Sequence, residues 1–314
     1  MRIRCPKCST SSNKNVQIYE AKAYCFKCGY MFKDDDYKDL VAGKIIEIEK
    51  EYKIELKEKF SIMTRFLDMF KGAEETAGFE YLKSRGFSKG LIKKMKIKFV
   101  DPMEYLLNCD KLVRELYQEQ LEKNSEVMDD MIRKFTACGL CTIYNSGEER
   151  AFKIFKRYAK KRIEFYMFPA MLNGKCFRIK ARGVLMDSDE EPRFLCTKGQ
   201  CYLPYNADVI FNKRKIYITE SETDCLTLLE HGFDAIAIPS ATGFKESWAL
   251  LFRGKEVILC LDNDEAGQKG TDKILEIFEK YRLRKPSVLK LPSGTKDISE
   301  YFGNLKATMR QLNH

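Results

Sequence analysis

Carboxylates recur in the second half of the chain where apolar runs stop. Lys-Ile-Tyr-Ile-Thr runs into Glu220, with Asp224 four residues further on. Glu-Val-Ile-Leu-Cys-Leu runs into Asp262-Asn-Asp264-Glu-Ala-Gly267. Both runs are short and rich in apolar, β-branched residues, as buried parallel strands are. Acids at the carboxyl ends of such strands open into one crevice, where parallel sheets bind their ligands. Asp262 and Asp264 lie two apart, so an extended backbone aims both side chains the same way. Carboxylates this close repel unless something neutralises them. A hard divalent cation does so, and Mg²⁺, with Mn²⁺ as substitute, favours one or two carboxylates plus a substrate phosphate. Glu220, Asp262 and Asp264 are the predicted ligands of that ion. A lone acid at a strand end is an ordinary solvated loop residue; E-x-x-x-D followed by D-x-D-x-x-G asks for a site.

A second chemistry sits at the N-terminus. Cys5-Pro-Lys-Cys8 and Cys25-Phe-Lys-Cys28 are two C-x-x-C knuckles, with 16 residues between them. Each places two thiolates on a tight turn, and two knuckles complete the tetrahedron of a closed structural Zn²⁺ site. Iron, or four unrelated buried thiols, are the alternatives. About 33 residues bury too little surface to fold alone, so the metal would supply the stability. Seven Lys or Arg and one acid occupy residues 1–33, interleaved with Tyr19, Tyr24, Phe26, Tyr30 and Phe32. Cations beside aromatics suit single-stranded nucleic acid, although Phe26 and Phe32 equally suit the small core of the module. Cys138-Gly-Leu-Cys141 is a third such pair without a partner, and is expected to be two ordinary buried thiols.

Residues 151–182 carry ten Lys or Arg against one acid, Glu164. Within them Phe177, Ile179 and Ala181 alternate with Arg178, Lys180 and Arg182. A strand with that period buries one face and points three cations the other way. Phosphates would relieve the repulsion among them, so Arg178, Lys180 and Arg182 are predicted to contact a nucleic acid or a nucleotide. A plain solvated face is the alternative.

The elements that position these residues follow from the pattern. Ser221 and Asp224 give the start signal of a helix from Glu222 to Glu230, with Leu226, Leu228 and Leu229 as its stripe. A strand over 235–239, a helix over 245–252, the strand ending at Asp262, a helix over about 266–281 and a strand over 287–291 complete a β-α-β-α-β-α-β order. That order calls for an open parallel sheet with helices on its faces. Earlier in the chain, Phe79, Leu82 and Lys83 share a helix face, Gly86 ends that helix and Ser88 caps the next. Residues 104–135 read as charged helix, and residues 34–60 as a charged tether.

The totals agree with a nucleic-acid partner. The 314 residues are 44% hydrophobic and 32% charged, with a formal charge of +10. That suffices for two domains and a small module, and favours an anionic partner. No run approaches the roughly 20 apolar residues of a membrane span. Twelve cysteines without a signal peptide's apolar core predict a reducing, cytoplasmic setting.

Glu220-Ser-Glu-Thr-Asp224 and Asp262-Asn-Asp-Glu-Ala-Gly267 resemble the two signatures of the Toprim domain of bacterial-type primases, topoisomerases, RecR-type proteins and some nucleases. Ser221 stands where that family usually has Gly. Lys296-Asp297 resembles its late acidic position, and Ser299 stands where primases often carry a second acid. The cysteine module resembles the zinc ribbon of phage and bacterial primases, in its four-cysteine phage form. Phe79-Glu-Tyr-Leu-Lys-Ser-Arg-Gly86, then Phe165–Ala170, Gly174–Arg182 and Lys198–Tyr205, resemble the primase core in order. Lys180, Arg182 and Lys198 match its template- and nucleotide-contacting positions.

The resemblance implies an α/β fold: a Toprim four-stranded parallel sheet with flanking helices, preceded by a mixed α+β subdomain and a Cys₄ zinc ribbon. The implied domains are a ribbon over 1–33, a linker over 34–60, a basic subdomain over 61–212, a Toprim domain over 213–303 and a tail over 304–314. The implied function is a DNA primase, a DNA-directed RNA polymerase making short RNA primers de novo on single-stranded DNA from ribonucleoside triphosphates. Glu220, Asp224, Asp262, Asp264 and Asp297 are its implied catalytic acids. A separate replicative helicase is the implied partner, and a phage or mobile-element origin is expected, since only about a dozen residues follow Phe302. A Toprim-type nuclease and a non-enzymatic RecR-like recombination mediator are the alternatives.

Overall fold

The computed structural model describes residues 2–3, 16–18, 23–25, 30–32, 56–117, 134–135, 138–140, 161–184, 194–197 and 203–304. The chain divides into two compact units, Met1–Ile54 and Glu55–His314. In the first, β1 (Arg2–Ile3), β2 (Val16–Ile18), β3 (Ala23–Cys25) and β4 (Met31–Phe32) pair antiparallel in sequence order. The turn from β3 to β4 begins at Cys25, which is buried and donates its N–H to the Tyr30 carbonyl at 3.0 Å. Cys5, Cys8 and Cys28 lie outside the described residues.

The second unit opens with α1 (Leu56–Asp68). Residues 56–60, the end of the stretch expected as a partly structured tether, belong to this helix, whose Ile62, Met63, Phe66 and Leu67 form a buried stripe at helical spacing. Helices α2 (Phe79–Ser84) and α3 (Lys89–Lys94) follow as the sequence predicts. Gly86 between them has φ of +89°, a backbone that side-chain-bearing residues rarely take. Ser88 caps α3, its Oγ accepting from the Leu91 N–H at 3.2 Å.

Next come β5 (Lys98–Val100) and α4 (Pro102–Tyr117), the described part of the predicted 104–135 helix. Strands β6 (Phe165–Leu172), β7 (Lys175–Gly183) and β8 (Phe194–Cys196) join β5 in an antiparallel sheet of order β5-β6-β7-β8. Asn173 and Gly174, at φ +49° and +76°, make the tight hairpin turn between β6 and β7 that such residues favour.

After α5 (Asp208–Asn212), the predicted β-α-β order appears: β9 (Lys215–Thr219), α6 (Glu222–Glu230), β10 (Ala235–Ala237), β11 (Glu256–Cys260), α7 (Glu265–Lys280) and β12 (Ser287–Val288). All pairings are parallel, in the order β10-β9-β11-β12. The helix expected over 245–252 forms as a 3₁₀ helix, Glu246–Phe252. It is a short connector that closes on tight bonds such as Trp248 N–H to the Lys245 carbonyl at 2.9 Å.

Alternate residues of β9 and β11 serve two cores. Ile216, Ile218, Val257 and Leu259 pack with Ile274, Ile277 and Phe278 of α7 and with Trp248 and Phe252. Tyr217, Ile258 and Cys260 face Cys225, Leu226 and Leu228 of α6, in a core that also takes in Phe79, Leu82, Leu91, Ile92, Tyr166, Phe168 and Phe177. The parallel and antiparallel sheets thus share one core. Glu230, at the end of α6, receives both the N–H (2.9 Å) and Oγ (3.0 Å) of Ser88, tying α3 to α6. Replacing Ser88 with Ala removes the cap and one of these bonds, and is expected to cost about 1–2 kcal/mol by urea denaturation; a loss below about 0.3 kcal/mol would show that this link contributes nothing.

Candidate active site

The register of the parallel sheet sets the site. Thr219 pairs with Ala237 on one side and Cys260 on the other, so Glu220 and the Asp262 loop leave the sheet at the same edge. Glu220 is half-buried there. Burial pushes its carboxyl upward, as do Asp264 and Asp224, while the amides of Ala241 and Asp262 oppose the shift. Its Oε2 is buried without a hydrogen-bond partner.

Asp262 is shifted further, to about 7, first by burial and then by the charges of Glu220, Asp224 and Asp297. Asp264 caps α7, its Oδ1 accepting from the Gly267 N–H at 2.8 Å. Gly267 allows that helix to start so close: a side-chain carbon there would overlap the Asp262 carbonyl, and one at Gly270 the carbonyl of Ala241. The glycine of D-x-D-x-x-G is thus explained by packing against the acid that precedes it.

Asp297 joins from the loop after β12. Its Oδ1 caps the helical turn at 298–304 through the Glu300 N–H at 2.7 Å. Asn263, which the sequence reading did not single out, stitches this loop to the first. Its N–H reaches the Lys296 carbonyl at 2.7 Å and its side-chain amide the Thr295 carbonyl at 3.1 Å.

Asp224 is almost wholly buried, which pushes its carboxyl up against the pull of its donors. The Ser221 Oγ gives to its Oδ2 at 2.5 Å. Ser299 gives both its N–H (3.0 Å) and its Oγ (2.7 Å) to Oδ1. The residue standing where a second acid was expected is a double donor to the neighbouring carboxylate.

The predicted carboxylates meet at one sheet edge. Among the described residues no three of them stand as a ready-made coordination group. The reason lies in their partners: Asp264 is turned into its helix cap, and Asp224 is held by serines. A divalent ion nevertheless fits the site. The orphaned Glu220 Oε2 and the raised Asp262 carboxyl are what a cation would relieve, and Mg²⁺ takes its other ligands from water and substrate.

The cationic strand departs from its prediction. Arg178, Lys180 and Arg182 do alternate with Phe177, Ile179 and Ala181, yet Arg178 and Arg182 are buried. Across the sheet they pair with Ala170, Phe168 and Tyr166, so their face is the one packed on the shared core. Arg182 lies over the Tyr81 ring (5.5 Å) and the Phe194 ring (5.8 Å), and Lys180 over Phe194 (4.9 Å). Lys180 also meets Glu222 at 2.6 Å, with Arg178 3.7 Å from the same carboxylate. Glu222 was missed in the sequence, although it lies four residues before Leu226 and seven before Leu229, on the apolar stripe of α6, where an acid has to be paired. Lys198 lies outside the described residues.

Cys138 is buried with its thiol pushed up to about 12 by desolvation, in keeping with an inert core residue. Cys141 lies outside the described residues.

The Toprim-like family matches residues 217–302. The zinc-binding and RNA polymerase domains of the Aquifex aeolicus primase superpose with a TM-score of 0.59 at 16% identity, over 99% of this chain and 77% of that one. The fold is that of a bacterial primase core. A DNA primase domain from Pseudomonas aeruginosa gives a TM-score of 0.57 at 19% identity, over 81% of this chain and 78% of the other. A DnaG primase catalytic domain bound to ssDNA gives 0.56 at 20% identity, over 81% of each. No curated protein matches the sequence. Among the described residues no helix is long and apolar enough to cross a membrane.

The raised Asp262 carboxyl has a sign that can be checked. The folded chain binds this proton more tightly than the unfolded one, so stability falls as pH rises from the unfolded value near 4 through about 7. Without divalent ions the melting temperature is expected to drop between about pH 4 and 7. Asp262→Asn should flatten that slope and gain about 3 °C at the alkaline end, the effect of roughly 1 kcal/mol in a unit this size. A slope unchanged in the variant would remove Asp262 from the repelling cluster.

Proposed function

We propose that the protein is a DNA primase that makes short RNA primers on single-stranded DNA by metal-dependent nucleotidyl transfer. The observation that carries this reading is the meeting, in one compact unit with the primase-core fold, of an acidic sheet edge and an adjoining strand of buried cations. One structural relative is described as bound to single-stranded DNA, which supports the same partner here.

Joining two nucleotides needs an aligned hydroxyl and a neutralised triphosphate more than it needs covalent help from the protein. Glu220, Asp262 and Asp264 would hold Mg²⁺ or Mn²⁺, which supplies positive charge against the phosphates when bound. Asp224, fixed by Ser221 and Ser299, keeps the first turn of α6 and the 297–299 loop together behind those ligands. Asp297 adds negative charge from the same loop and raises the site's demand for a cation. Arg182 and Lys198 are assigned to template or incoming triphosphate, with Phe194 and Tyr81 as rings beside Arg182. Arg178 and Lys180 stand behind Arg182 on the same strand, paired with Glu222. Cys5, Cys8, Cys25 and Cys28 would bind the single Zn²⁺ of the ribbon, which is assigned to reading the template. Ribonucleoside triphosphates are the proposed substrates and a separate helicase the proposed partner.

Primer synthesis on a single-stranded template library with ribonucleotides and Mg²⁺ tests the reading. Wild type is expected to yield short oligoribonucleotides. Asp262→Ala should lose them by about a thousandfold or more, while its affinity for single-stranded DNA stays within about threefold of wild type. Equal synthesis by the variant would reject the assignment, and DNA fragments in place of primers would turn it toward a nuclease.

A further inference from the structure

We infer that Glu222 is a positioning residue: it is an internal counter-ion that tethers the cationic strand to the first turn of α6 and keeps Lys180 from meeting phosphate directly. This rests on the primase reading for its purpose, though not for its geometry.

The three side chains are nearly out of water, at 4% exposure for Glu222, 8% for Arg178 and 12% for Lys180. Lys180 Nζ donates to Glu222 Oε2 at 2.6 Å, and Arg178 stands 3.7 Å from Oε1. A charge this deep is tolerated only when paired. Two cations on one strand with a single acid between them make a group of net charge +1, so Glu222 cancels half of what the strand brings. Its backbone adds to the constraint: Glu222 lies two residues after Glu220 and two before Asp224, on a turn capped by Ser221. Any shift of β7 is therefore passed to the acidic edge. The pairing is tight on one side and slack on the other. Glu222 Oε1 and Arg178 Nε are both buried without a hydrogen-bond partner, which leaves Lys180 as the grip.

Two consequences separate this from a direct phosphate contact. Each Lys or Arg that meets a phosphate of single-stranded DNA adds about 0.7 to the slope of log affinity against log salt. A masked Lys180 adds none, and removing Glu222's charge unmasks it. Arg178, deeper in the core, stays out of reach in both cases.

The test uses the full zinc-loaded chain and a fluorescent oligodeoxythymidine, titrated at several KCl concentrations, with wild type, Lys180→Met, Glu222→Gln and the double variant. The expected result is a slope unchanged in Lys180→Met, steeper by about 0.7 in Glu222→Gln, and back to wild type in the double variant. A slope shallower by about 0.7 in Lys180→Met, with no change in Glu222→Gln, would overturn the masking. Thermal melting of the same four proteins reads the tether independently of DNA. The double variant should melt at or above Glu222→Gln, whose unpaired cations are expected to lower its melting temperature by about 5 °C or more. Additive losses would overturn the tether. Should wild type fail to bind the oligonucleotide, the nucleic-acid reading falls, and the melting cycle still decides the tether.

Discussion

Repulsion among carboxylates at one edge of a parallel sheet is the constraint around which this fold is arranged. Glu220 and Asp262 leave adjacent strands at the same edge, just beyond the Thr219–Cys260 pair. Both are half-buried, and the charge of Glu220 disfavours that of Asp262, while Asp264 and Asp224 disfavour that of Glu220. The surroundings contain the strain in several ways. Amides of Ala241 and Asp262 face Glu220, serines saturate Asp224, and Asp264 turns into the positive end of α7. What stays unmet is the buried oxygen of Glu220, and that is the place where a cation gains most.

The acidic edge was legible in the sequence because apolar runs that stop at an acid, twice and in the right order, leave few topologies open. Asp262, Asp264 and Glu220 were placed by that rule alone. The cations were legible as a strand and misjudged as a surface. Alternation separates two faces without saying what covers each. Here the face bearing Arg178, Lys180 and Arg182 meets Glu222 of α6, Tyr81 of α2 and Phe194 of β8, and the acid that permits this comes from a distant part of the chain.

Substitutions within the motifs carry their own physics. Ser299 replaces a negative charge with two hydrogen-bond donors to Asp224, lowering the repulsion that a further carboxylate would have added. Ser221, where glycine is usual, supplies both the cap of α6 and a bond to Asp224. The two serines act on one residue from opposite sides, so the chain holds Asp224 by local chemistry. Asn263 does comparable work between loops, since its two bonds fix the third acidic element against the second.

The core shared by the two sheets has a kinematic consequence. Tyr166 and Phe168 from one sheet and Cys225 and Leu226 beneath the other interlock in a single apolar mass, and Tyr166 further anchors its ring through a 2.6 Å bond to the Gly78 carbonyl. Such a seam does not open like a jaw. The placement of the cation strand against the acid edge is held as a fixed gauge, and changing it would require partial melting of the seam itself.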